Sequence, residues 1–271
     1  MLKRGLLFSL AALVLGVVGF GVVRHRSTRM VTPYDRATRP LAEVATEGRR
    51  LGLEPVEVGS LRALMRRPVS GHAWLLYWGG NTSTYFHEAV DTLVGLALPP
   101  ELGILVVAPP GYDSEGRATP EELEADAVRA RQWLRQHEGA SQIVTGGFSM
   151  GIYPALVAAE QDVVATFIMG NATVFEAGEP GRLIRFRVSD KYRIRPSPPK
   201  VPALVIQGEL DELQMGRDIA TWLGARLVVL PGVGHVATQR DPVALREARA
   251  FILSSLSLRE RGEGRGEGPT E

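Results

Sequence analysis

The feature that most constrains this chain is a succession of short apolar runs, each stopped by Gly or Pro. The runs are HAWLLYW (72–78), GILVVAP (103–109), QIVTGGF, DVVATFIMG, PALVIQG and RLVVLPG. They do not alternate apolar with polar, as a half-buried strand would. Such runs fit strands buried on both faces. Segments of helical period lie between them: YFHEAVDTLVGLAL, PEELEADAVRARQWLRQHEG and DELQMGRDIATWLGA. The second opens on Pro120 and two glutamates and stops at Gly139, as a helix should. A further helix is expected from about Met150, and VALREARAFILSSL closes the series as an amphipathic helix. Upstream, EPVEV and LRALMRR flank Gly59-Ser60, a hairpin signal. Eight strands alternating with helices predict an α/β domain over residues 53–256: a mostly parallel eight-stranded sheet with helices on both faces. The hydrophobic content of 45% is enough for its core.

The flanks have a different character. Leu6 to Val23 carries no charge and is bordered by Lys3 and Arg4 before it and Arg24, Arg26 and Arg29 after it. As a helix it would be about 27 Å long, close to the hydrocarbon thickness of a bilayer. Residues 1–26 are therefore expected to be a single-pass membrane anchor, with the domain on the non-cytoplasmic side. The rival reading is a signal segment and a secreted protein, but Gly19-Phe20-Gly21 is a poor cleavage site. Residues 27–52, rich in Arg, Thr and Pro, read as a linker or peripheral segment. Residues 257–271 read as a disordered tail. Net charge is +1, which gives no general pull toward nucleic acid, and cysteine is absent, so no disulfide or thiolate chemistry exists here.

In parallel sheets functional groups gather at the carboxyl ends of the strands. Read together, those ends hold Gly79, Gly80 and Asn81; Pro109, Pro110 and Gly111; Ser149; Glu209, Leu210, Asp211 and Glu212; and His235. A serine, a carboxylate and a histidine thus arrive, in that chain order, at one edge. Ser149 lies in GGFSMG, directly after a strand. With 30 glycines in the chain such a match can arise by chance, so its position and its two later partners carry the weight. The remaining histidines offer no better base: His25 flanks the apolar segment, His72 opens a strand, and His87 and His137 lie on helices.

Gly147-x-Ser149-x-Gly151 between strand and helix resembles the nucleophile elbow of the alpha/beta-hydrolase fold. The order Ser, Asp, His is similar to that family's. QGELD resembles its acid loop, which singles out Asp211 from its acidic neighbours, and PGVGH resembles its histidine loop. The resemblance covers roughly residues 53 to 256 and implies a serine hydrolase with a minimal cap and no cofactor or metal. The N-terminal segment, the short motif after residue 78 and the lack of a long cap resemble the membrane-anchored branch of esterases and depalmitoylating thioesterases. That implies a small-molecule or lipid-like acyl substrate.

The residue types suit the chemistry. A serine hydroxyl is a weak nucleophile until a base takes its proton. His235 is expected to be that base, and Asp211 to hold its tautomer and stabilise its cation. Backbone N–H groups must meet the developing oxyanion. Met150 follows the nucleophile directly, and Asn81, with Thr82 as the alternative, is expected to supply the second donor. The family commonly carries His-Gly before that residue. Here the pair is Gly79-Gly80, which leaves the loop without an imidazole to anchor it. Alternatives within the fold are an inactive membrane-tethered scaffold, an acyltransferase or a peptidase. Two further segments are read structurally. Arg182 to Lys200, strongly basic, is expected to be a solvated excursion, with contact to anionic lipid headgroups as its rival. Asp113 and Glu115 are expected to be structural.

Overall fold

The computed structural model describes residues 45–46, 48–80, 85–109, 120–170, 198–211 and 216–263. The N-terminal segment, residues 27–44 of the linker, Asn81 and Thr82, Asp113 and Glu115, Glu212, and the basic excursion up to residue 197 lie outside them. Among the described residues no helix is long and apolar enough to cross a membrane.

The strands are β1 (Glu54–Val58), β2 (Leu61–Arg66), β3 (Ala73–Trp78), β4 (Gly103–Val107), β5 (Gln142–Phe148), β6 (Ala165–Met169), β7 (Ala203–Gly208) and β8 (Arg226–Leu230). They form one sheet in the order β1-β2-β4-β3-β5-β6-β7-β8. From β4 onward every pairing is parallel; β2 runs antiparallel to both β1 and β4. The expected hairpin at Gly59-Ser60 joins β1 to β2, with Val58 opposite Leu61 and Gly59 in the left-handed region at φ +65°. A glycine adopts that conformation without the clash a Cβ would bring.

The helices are α1 (Tyr85–Leu96), α2 (Pro120–His137), α3 (Ile152–Ala158), α4 (Gly216–Leu223), α5 (His235–Thr238) and α6 (Pro242–Glu263). Side chains two apart on a strand share a face, and the core divides accordingly. Trp74, Leu76 and Trp78 pack with α2, α3 and α4 on one face. Leu75 and Tyr77 pack with α1 and α6 on the other. Helices therefore cover both faces, which is why the inner strands are largely apolar. Only β8, at the edge, keeps a strongly exposed valine among the strand residues, Val229.

Two boundaries differ from the sequence-based expectation. The closing helix does not stop at 256 but continues to Glu263. Residues 257–261 contain no helix breaker, and the Gly-rich run starts only at Gly262 and Gly264. Upstream, a 3₁₀ turn at Arg49–Leu51 precedes β1, and Leu51 packs against the core face that α1 covers. Arg50 pairs with Asp91 of α1. The linker's last residues thus belong to the folded unit.

Strand order also locates a crevice. From β3 the chain moves by α1 to β4 on one side. It then returns past β3 by α2 to β5 on the other side. The connections leaving β3 and β5 diverge, which opens a gap above their carboxyl ends, the usual ligand position in such sheets.

Candidate active site

Ser149 stands at that gap. Phe148 is still extended (φ −116°, ψ 134°), Ser149 turns to φ +52°, and a 3₁₀ turn over Ser149–Gly151 leads into α3. Only glycines permit a reversal this tight. A Cβ on Gly147 would lie 2.3 Å from the Gly151 carbonyl oxygen, and one on Gly151 would lie 2.3 Å from that of Trp78. Both are far inside contact distance. The turn therefore packs directly on β3 and lifts the serine clear of the sheet.

Asp211 follows β7 and is fully buried. Its neighbour Glu209 is engaged elsewhere: it accepts a hydrogen bond from the Gly232 N–H at 2.9 Å. Gly208, at the β7 exit, lets the chain after β8 cross closely, because a Cβ there would meet the Val233 carbonyl oxygen at 2.2 Å. The Leu210 N–H donates to the same carbonyl at 2.9 Å. These contacts fix the acid loop to the histidine loop. His235 is the first residue of α5, a short helix rather than open loop.

The three side chains meet. His235 Nδ1 lies 2.8 Å from Asp211 Oδ2, and His235 Nε2 lies 2.9 Å from Ser149 Oγ. A carboxylate only accepts, so Nδ1 carries the proton facing Asp211. In the neutral ring Nε2 is then an acceptor for the serine hydroxyl. The imidazole is mostly enclosed, at 16% side-chain exposure. One wall is the Phe148 ring, with centroids 5.2 Å apart. Another is Gly170, at φ +68° beyond β6, where a Cβ would come 3.2 Å from His235 Cε1. Neither residue carries a motif. The only sequence signals are a glycine ending a strand and an aromatic beside the nucleophile.

Of the two expected oxyanion donors, Met150 lies in the 3₁₀ turn directly after Ser149. Asn81 lies outside the described residues, but the chain up to Gly80 is described. A Cβ on Gly80 would stand 3.3 Å from Ser149 Cβ and 2.8 Å from Phe148 Cδ1. The β3 exit thus runs alongside the nucleophile. Where the family's imidazole is missing, a phenol holds the exit: the Gly79 N–H donates to the Tyr85 hydroxyl at 2.7 Å. The signal for it was a tyrosine on a buried helix face, whose hydroxyl must find a partner.

No family profile and no curated protein sequence matches this chain significantly. Solved structures do resemble it. An esterase from Pyrobaculum calidifontis matches with a TM-score of 0.58 at 19% identity, over 89% of this chain and 93% of its own. A butyrate-bound esterase from Thermogutta terrifontis matches at 0.55 and 17% identity, over 81% and 98%. XC6422 from Xanthomonas campestris, described as an α/β serine hydrolase without a lid, matches at 0.53 and 18% identity, over 80% and 96%. The chain has the α/β-hydrolase fold.

Proposed function

We propose that this protein is a serine hydrolase that cleaves a carboxylic ester or thioester. The observation that carries the reading is the hydrogen-bonded chain Ser149–His235–Asp211, with spacings of 2.9 and 2.8 Å, at the carboxyl edge of the sheet. Ser149 Oγ attacks the acyl carbon as His235 Nε2 takes its proton. The Asp211 carboxylate, fully buried, stabilises the imidazolium that forms. The negative charge on the carbonyl oxygen is met by backbone donors, for which the N–H groups of Met150 and Asn81 are the candidates. Collapse of this intermediate expels the alcohol or thiol, protonated by His235, and leaves an acyl-Ser149. Water, deprotonated by the same imidazole, then releases the acid.

The fold relatives support an acyl group of modest length in an open site: one is a lidless hydrolase and another holds butyrate. The test is a series of p-nitrophenyl esters and acyl thioesters of increasing chain length, assayed with the wild type and Ser149→Ala. Turnover is expected for short and medium chains. In the variant kcat should fall by about 10⁴-fold or more, in line with loss of a triad member. Equal activity in both proteins would remove the reading.

A further inference from the structure

The exit of β3 is held by a side chain that no sequence motif marks. The Tyr85 hydroxyl accepts from the Gly79 N–H at 2.7 Å and donates to the Val107 carbonyl at 2.7 Å. The residue is 1% exposed, so water does not compete for either bond. A phenol can accept and donate at once, and here it couples the ends of β3 and β4. Its ring also borders the turn: a Cβ on Gly79 would come 3.3 Å from Tyr85 Cε2. On the other side Gly80 abuts Phe148 and Ser149. The Gly79-Gly80 backbone is thus gripped between Tyr85 and the nucleophile turn.

We propose that Tyr85 is a positioning residue of the hydrolytic site, its hydroxyl fixing the Gly79-Gly80 backbone on which the Ser149–Gly151 turn packs, so that Ser149 and the Met150 N–H are set before substrate arrives. The proposal rests on the serine-hydrolase reading of that site. Preorganised donors act strongly because no reorganisation is needed during the reaction. Losing the phenol oxygen leaves the Gly79 N–H and the Val107 carbonyl each one partner short in a buried setting. The backbone then relaxes, and the turn that carries Ser149 and the Met150 N–H loses its support.

The test uses the full chain and Tyr85→Phe, with p-nitrophenyl butyrate as substrate and a trifluoromethyl ketone as a probe that forms a tetrahedral oxyanion on serine. The expected result is a kcat loss of about ten- to a hundredfold, bounded above by removal of a whole oxyanion donor. KM should stay within about twofold, as expected for an interaction made only in the transition state. The ketone should lose affinity in parallel with kcat/KM, and the pH profile should keep its shape because His235 is not moved. Thr145→Val is the comparison: it breaks a buried 2.9 Å hydroxyl pair with Thr166 in the same sheet. It should lower Tm and leave kcat. Gly79→Ala presses a methyl toward the Tyr85 ring and should reproduce the kinetic signature of Tyr85→Phe. Wild-type kcat in whichever of the two variants folds would overturn the role of Tyr85, as would an equal kcat loss in Thr145→Val. Absence of turnover in the wild type would instead remove the hydrolase reading, and the Tyr85 proposal with it.

Discussion

Ser149 sits at φ +52°, in the left-handed region where a Cβ crowds the backbone at a cost of about 1–2 kcal/mol. The fold holds it there by packing the turn directly on β3, an approach that the missing side chains of Gly147 and Gly151 allow. A serine in this conformation exposes its hydroxyl at the crest of the turn, so the strain and the presentation of the nucleophile have one cause. The consequence is measurable without any substrate. Ser149→Gly removes the Cβ, while Ser149→Ala keeps it. Both lose the hydroxyl, yet the glycine variant should be the more stable by about 1 kcal/mol. Thermal or urea unfolding of the two variants checks this, and equal stabilities would mean that the turn is relaxed.

At the scale of elements, the helix packed below the site carries a buried charge. Asp126 lies on the inner side of α2 at 6% exposure and pairs with Arg129 one turn on. Burial raises its carboxyl above the usual value of 3.8, Arg129 opposes that, and Glu122 adds to it. Below 3.8 both folded and unfolded chains hold the proton, so Asp126 costs nothing there. As pH rises the unfolded chain ionises first, and stability falls until the folded group has ionised too. Asp126→Asn should therefore match the wild type in acid and unfold at a higher temperature at neutral pH. Melting curves across that range would show it, and a gap independent of pH would contradict the burial argument. A second element, α5, shows how the base is held. Gln239, just beyond it and 2% exposed, donates to Glu88 of α1 at 3.1 Å. Neither α5 nor this bond was legible in the sequence, because a four-residue helix has no period to read and the Gln239–Glu88 contact spans the chain.

Over the whole molecule, what could be read from the sequence is what local physics writes. Six apolar runs and a hairpin signal identified the eight strands, and the Gly-x-Ser-x-Gly turn marked the nucleophile. Which strand lies beside which is decided by pairings remote in sequence. The placement of β3 between β4 and β5, and hence the crevice beside Ser149, had to come from the fold. The same holds for Tyr85, whose partners Gly79 and Val107 lie at the ends of two different strands. The convergence of Ser149, Asp211 and His235 was legible only as an order of residue types at strand ends; the sheet turns that order into distances. Treatment of the folded wild-type chain with a fluorophosphonate, followed by peptide mass mapping, tests this convergence most directly. One phosphonyl group per chain on Ser149, abolished in His235→Ala, is the predicted result. A folded chain that stays unlabelled, or that carries its adduct on another residue, would contradict the account.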